Sequence, residues 1–290
     1  MKITFIGTGA GEGYPGHWCD CPNCAYAREK GGKNIRGNTC TLIDDDVTVD
    51  LNVHLYAMAP RLNIHPGKIR LALITHTHKD HFNPQWLLQR AVPAQLQSIA
   101  PKDMIHHSSP NFTALPTLHI YGNSFVEQAI FSDEKIVDRK SACNFEYHPI
   151  KDGEEVNFDD VFFIPVRSYH TEQAGFAHNY IISRGGKTIL YASDTGGYDP
   201  EMLDIILSHK YDLIIMEGTF GLGDGSKNHM NLDKNRSIKE KFLQADVWKD
   251  EPRFYLTHMS PHWTPPHDIY APMMEKEGFH VAWDGLTIEI

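Results

Sequence analysis

Ile74-Thr75-His76-Thr77-His78-Lys79-Asp80-His81 sets four metal-binding side chains within six residues. It follows directly on the apolar run Ile69-Arg70-Leu71-Ala72-Leu73-Ile74, which reads as a buried strand, and Asn83-Pro84 then reads as the start of a helix. His76 and His78 are two apart and point the same way from an extended segment. Asp80 and His81 are neighbours and cannot both follow that direction on one regular strand. The simplest arrangement is a loop in which His76 and His78 serve one metal while Asp80 and His81 serve a second, about 3.5–4 Å away, as in two-metal hydrolase sites.

The same arrangement, an apolar strand and then a metal-ligand residue type, recurs outward from this stretch. Asp50 ends the strand at 47–51, His170 follows 161–166, Asp194 follows 187–191 and His258 follows 254–257. Active sites of layered α/β proteins lie beyond the ends of strands, so these five loops are expected to meet. Neutral imidazoles and carboxylates suit Zn, Mn or Fe. Asp50 reads as a partner that fixes the tautomer of a ligand imidazole rather than as a ligand itself. His262, four residues beyond His258, is a candidate to protonate a leaving oxygen or to contact phosphate, with an exposed loop histidine as the alternative. His178 carries the same two readings.

Early in the chain, Cys19-Asp20-Cys21-Pro22-Asn23-Cys24 supplies three thiolates, one short of a closed tetrahedral zinc site. The fourth ligand comes from a distant residue or from water. Five cysteines in all, three of them clustered, suit metal binding in a reducing compartment better than a disulfide framework. Such a site explains how the Gly-rich loop from Gly7 to Asn38, which lacks hydrophobic periodicity, is ordered. Cys40 and Cys143 read as small buried residues.

Further elements follow from turn and cap signals. Asp44-Asp45-Asp46 joins two strands as a tight hairpin, Ser124 with Glu127 reads as a capping box for a helix through Phe131, and Arg184-Gly185-Gly186 turns a second hairpin. Helical spacing runs over 199–209 and 232–246, and Asp212 to Met216 is a buried strand ending at Glu217. Residues 280–290 read as a closing hairpin around Asp284-Gly285, where Asp284 has either a turn role or a contact behind the metal ligands. Residues 84–116, Pro-rich and carrying His106-His107, form a candidate lid insertion with Trp86, Leu87 and Phe112 on its inner face. No composition break divides the chain, so residues 1–290 are expected to form one domain.

A hydrophobic fraction of 41% with 22% charged residues argues for a globular protein and against disorder. The net charge of −10 lacks the electrostatic footprint of a general nucleic-acid binder. Neither a signal peptide nor a membrane span is legible, so a cytoplasmic protein without a membrane partner is expected. A homodimer is a candidate assembly.

In order, then, the chain presents an acidic residue, HxHxDH, His, Asp and His, and in this it resembles the metallo-β-lactamase superfamily over essentially its whole length. Within that superfamily it is similar to the PhnP type of cyclic phosphodiesterase. The points of similarity are the Gly-rich loop with CxCxxC, Ser193-Asp194-Thr195, Asn228-His229 before the 232–246 helix, Leu256-Thr257-His258 and the closing Asp284-Gly285. The resemblance implies an αββα sandwich of the α/β class with two central mixed β-sheets. It implies His76, His78 and His170 on one metal, Asp80, His81 and His258 on another, and Asp194 bridging. It also implies that His229 joins Cys19, Cys21 and Cys24 as the ligands of a structural zinc, and that a metal-bridging water ionises near neutral pH and attacks phosphorus. The expected activity is a dinuclear metal-dependent phosphodiesterase acting on a small phosphodiester, cyclic or open, with Asp80, Asp194 and His262 as catalytic candidates. A lactonase or other ester hydrolase is the alternative, and a tRNase Z-like nuclease a more distant one, because one fold serves several bond classes here.

Overall fold

The computed structural model describes residues 1–91, 115–170 and 176–290. Two sheets of seven strands form its centre, and each is mixed. In the first, β1 (Lys2–Gly7), β2 (Cys40–Ile43), β3 (Val47–Val49), β4 (Leu71–Leu73), β5 (Leu118–Gly122) and β6 (Phe145–Pro149) lie side by side in chain order. The second runs through β7 (Val156–Phe158), β8 (Val161–Ser168), β9 (Ala177–Arg184), β10 (Lys187–Ala192), β11 (Leu213–Glu217), β12 (Phe254–Thr257) and β13 (His280–Val281). The last strand, β14 (Thr287–Glu289), returns to the first sheet and pairs antiparallel with β1. The 280–290 segment is therefore not a hairpin, as its Asp-Gly turn suggested. It crosses from one sheet to the other, and β13 pairs in parallel with β12.

Side-chain alternation explains the layering, because successive residues of a strand face opposite sides. In β11, Leu213 and Ile215 enter the core between the sheets, where they join Phe5, Val49, Leu73, Phe163 and Tyr180. Ile214 and Met216 point the other way, into a second core that Met202, Ile206, Phe242, Tyr270 and Met274 share. A third core covers the outer face of the first sheet and includes Leu42, Ile120, Leu55, Leu87 and Val126. Strands buried on both faces read as unbroken apolar runs, as Leu213-Ile214-Ile215-Met216 does.

The helices take their caps from short polar side chains. The helix Ser124–Phe131 begins one residue before the expected box: the Asn123 side chain accepts from the amides of Phe125 and Val126. Asp199 and Asn231 cap Pro200–Leu207 and Leu232–Gln244 in the same way. Within the early loop the structure places a helix, Pro22–Lys30, with proline in its first turn. Of the segment 84–116, residues Pro84–Ala91 form a 3₁₀ helix, and the candidate lid at 92–114 lies outside the described residues. Among the described residues no helix is long and apolar enough to cross a membrane.

Candidate metal centre

β3 with β4, and β10 through β12, run parallel within their sheets, so their C-terminal ends gather at one edge of the sandwich. Asp50, the 76–81 loop, Asp194, Glu217 and His258 stand there. Asp50, Asp194 and His258 have left-handed backbone, with φ of 69°, 51° and 59°. That conformation is uncommon outside glycine and is held only where the surroundings enforce it. Here it turns each side chain off the end of its strand toward the others. The two sheets are also tied across the site, since Tyr180 donates to the Ile74 carbonyl at 2.7 Å and the His178 amide to that of Thr75 at 2.9 Å.

Two groups of donor atoms result. His78 Nδ1 lies 2.8 Å from His76 Nε2 and 3.2 Å from His170 Nε2. Oδ2 of Asp194 is 3.5 Å from His76 and 3.6 Å from His170. On the other side His81 Nε2 is 3.3 Å from Asp80 and 3.2 Å from His258 Nε2, while Asp80 and His258 are 3.6 Å apart. Asp194 faces this group too, with Oδ1 2.9 Å from His258 and Oδ2 3.3 Å from His81. A tetrahedral ion at about 2.1 Å from its ligands separates neighbouring donor atoms by roughly 3.4 Å. Both groups fit that edge length, with Asp194 common to them.

The outward ring nitrogens explain why the inward ones are free to bind. His81 Nδ1 donates to Asp50 at 2.6 Å, His76 Nδ1 to the Thr75 hydroxyl at 3.0 Å, His170 Nδ1 to the Asn228 carbonyl at 3.1 Å and His258 Nδ1 to the Thr219 hydroxyl at 2.8 Å. Each bond selects the tautomer whose Nε2 lone pair faces the cluster. Asp50 in turn accepts from the amide and hydroxyl of Thr75, at 2.9 and 2.8 Å.

Charge is concentrated in this buried space. Burial opposes ionisation of Asp194, yet the His258 and His81 rings beside it hold its carboxyl well below the usual range. Against the same burial, Asp194 raises His258 to about 10, and Asp194, Asp50 and Asp80 raise His81. Burial and the neighbouring His81 push His76 down, and burial alone outweighs Asp194 at His170. Carboxylates that hold protons on imidazoles in this way are poised to exchange those protons for cations.

His229 is placed here and not with the cysteines, which corrects the fourth-ligand expectation. Its Nδ1 donates to Glu217 at 2.8 Å, and its ring centroid is 4.8 Å from that of His170 and 5.8 Å from that of His258. Glu217, fully buried at the end of β11, also accepts from the amide of Met230 at 2.5 Å, from that of Thr195 at 3.3 Å and from the Thr219 hydroxyl. The sequence showed Glu217 only as a strand end. Its signal was a carboxylate closing an apolar run beside two ligand-bearing strands.

His262 takes the place foreseen for His229. The turn Ser260–Thr264 folds back on the early loop, where Asn23 donates to the Pro261 carbonyl at 2.9 Å, and His262 Nδ1 comes 3.9 Å from Cys19 Sγ. Cys19, Cys21 and His262 offer converging donor atoms, and the Cys21 thiol is in hydrogen-bond contact with both Cys19 and Cys24. For zinc bound to sulfur at about 2.3 Å, ligand edges of roughly 3.6–3.8 Å are needed. Cys19, Cys21 and His262 suit it, with the Cys24 thiol beside Cys21. This position also corrects the catalytic reading of His262.

Asp284 anchors the early loop: it accepts from the Thr8 hydroxyl and the Gly37 amide, both at 2.7 Å, and pairs with His54 at 2.9 Å. His178 is buried in β9 and bonded to Asp152 at 2.8 Å, so neither of its two readings holds. Cys40 and Cys143 are buried, as expected.

A family model described as the beta-lactamase superfamily domain matches residues 42–259. The chain belongs to the metallo-β-lactamase superfamily. That superfamily is one of metal-dependent hydrolases, and the match takes in every strand end that carries the site. No curated protein matches the chain in sequence. Among solved structures it is similar to a diphosphatase from the PhnP family, with 22% identity, a TM-score of 0.69, and 100% of this chain and 97% of that one covered. It is similar to zinc-bound PqqB from Methylobacterium extorquens, at 16% identity and TM-score 0.72, with 100% of both chains covered. Human tRNase Z, short form, follows at 17% identity and TM-score 0.60, with 100% of this chain and 99% of that one covered.

Proposed function

We propose that this superfamily member is a dinuclear metal-dependent phosphodiesterase acting on a small phosphodiester. The observation that carries the reading is the sharing of Asp194 between two donor groups, His76, His78 and His170 on one side and Asp80, His81 and His258 on the other. These residues would hold two divalent cations, Zn, Mn or Fe by ligand type, which would supply Lewis-acid activation of water and offset the charge on phosphoryl oxygens. Cys19, Cys21, Cys24 and His262 would hold a structural zinc that would pin the early loop over the site, where Gly11 packs so closely that a Cβ there would lie 3.2 Å from Asp80 Oδ2.

The chain's own residues supply the rest. Asp50, Thr75, Thr219 and Asn228 keep the ligand imidazoles in one tautomer and orientation. His229 stands beside His170 and His258 with its Nδ1 fixed by Glu217. Burial lowers the proton affinity of this imidazole, but the Glu217 carboxylate more than reverses that, so its pKa is raised. An imidazole whose proton is held by a carboxylate behind it can deliver that proton to a departing alkoxide. Beside His170 a cavity of about 460 Å³ is lined by Tyr169, Gly196, Lys227, Asn228 and Lys234, and its two lysines suit an anionic substrate. The likeness to a structure named as a diphosphatase favours phosphorus over carbon as the centre attacked.

The test is an assay of protein loaded with Mn or Zn against bis-p-nitrophenyl phosphate, 2′,3′-cyclic nucleotides and a panel of lactones, with Asp194→Ala as control. Phosphodiester turnover that the control lacks is the expected result. Turnover of lactones with no phosphodiester hydrolysed would overturn the proposal in favour of an ester hydrolase.

A further inference from the structure

A third set of ligand atoms converges at the far edge of the first sheet. In the parallel register of β5 with β6, His119 lies opposite Glu146, and His148 is two residues further along the same face. His119 Nδ1 is 2.9 Å from His148 Nε2 and 3.6 Å from Glu146 Oε2, and His148 Nε2 is 3.9 Å from that same oxygen. These edges average close to the roughly 3.4 Å that a tetrahedral ion bound by imidazole and carboxylate needs. They resemble the edges within the Asp194 centre.

The rings are held in place from outside the cluster. His148 stacks on Tyr121 with centroids 4.5 Å apart, and His119 packs on Phe158 at 4.8 Å. Both histidines are half-buried, whereas Glu146 is 60% exposed and leaves the remaining coordination position open to water. Arg70, whose guanidinium lies 5.9 Å over the Phe158 ring, is occupied by Asp46 at 2.9 Å and by Asp159 at 2.5 Å. It therefore does not compete for Glu146.

From this geometry we infer that His119, Glu146 and His148 form a third metal site, distinct from the Asp194 centre and from the cysteine cluster, that takes one borderline transition-metal dication. Two imidazoles and one carboxylate select Zn, Ni or Cu over Mg or Ca. Binding there clips the edge strand β6 to β5, and it is independent of which bond the protein hydrolyses.

The experiment starts with protein whose other sites are filled with Zn, and titrates it with Zn calorimetrically and with Cu under electron paramagnetic resonance. One further equivalent of Zn, lost in His148→Ala and in Glu146→Gln, is expected. The Cu signal should show two coupled nitrogens in the parent and one in His148→Ala. Glu146→Gln is exposed and isosteric, so it keeps the test decisive if the histidine variant fails to fold. Equal uptake by the parent and Glu146→Gln, or Cu coupling unchanged in His148→Ala, would overturn the inference.

Discussion

Asp50 Oδ2 lies 2.6 Å from Nδ1 of His81, and neither side chain reaches solvent. The carboxylate leaves His81 one orientation, with Nε2 toward Asp80, His258 and Asp194. Asp50→Asn keeps the shape but removes the charge that selects the tautomer. Losing such a partner behind a metal ligand commonly costs about 10–100-fold in metal affinity or activity. We therefore expect a loss of that size in kcat/KM together with a lower active-site metal content, read by steady-state kinetics and elemental analysis. Both quantities at parental levels would show that the Asp50 bond does not govern the ligand.

The exchanged positions of His229 and His262 give opposite predictions for two single variants. His262→Ala should release about one zinc per chain and lower the melting temperature, because the cysteine cluster loses its fourth ligand and the early loop loses its anchor. His229→Ala should keep that zinc. Cys21→Ser should behave as His262→Ala does. Zinc retained in His262→Ala and lost in His229→Ala would restore the assignment that the sequence suggested.

That exchange marks where the sequence stopped being legible. Ligand spacing at strand ends is a local signal, and the 76–81 loop, Asp194 and His258 were readable because a strand fixes where its next residue points. The pairing of distant loops is not local. Whether His229 or His262 meets the cysteines depends on how the 260–264 turn packs on Asn23, which no periodicity encodes. The closing strands failed for a similar reason, since Asp284-Gly285 has turn chemistry in either topology and only the open edges of β1 and β12 decide which strand pairs where. Glu217 stayed hidden because an acidic residue at the end of an apolar run is read as the limit of burial, whereas here three donors besides His229 stabilise it inside.

His229 and Glu217 predict a dependence on the leaving group. If His229 delivers the proton to the departing oxygen, His229→Gln slows substrates with basic alkoxide leaving groups far more than p-nitrophenyl esters, whose anion departs without help. General acid catalysis contributes about 10²–10⁴-fold, so a drop of at least 10²-fold on a 2′,3′-cyclic nucleotide is expected. The p-nitrophenyl substrate should lose much less, at unchanged metal content. Equal losses on both substrates would assign the pair a positioning role.

Away from the site, Arg36 and His267 predict how stability responds to acid. Arg36 is buried where it donates to the Thr8 hydroxyl at 2.7 Å, to the Ala282 carbonyl at 2.5 Å and to His267 Nδ1 at 3.0 Å. Burial first, and then the charges of Arg36 and Lys33, lower His267 to about 4. In the unfolded chain the same imidazole titrates near about 6.5. Between these values the unfolded state binds a proton that the native state refuses, so stability rises with pH across the window and is lost as pH falls through it. The loss is complete near the folded value, where on the order of 3 kcal/mol is expected from this one group. His267→Gln still offers Arg36 an acceptor but does not titrate. Urea unfolding at about pH 7 and about pH 5 should therefore show a smaller loss in the variant than in the parent, and equal losses would place the acid sensitivity elsewhere.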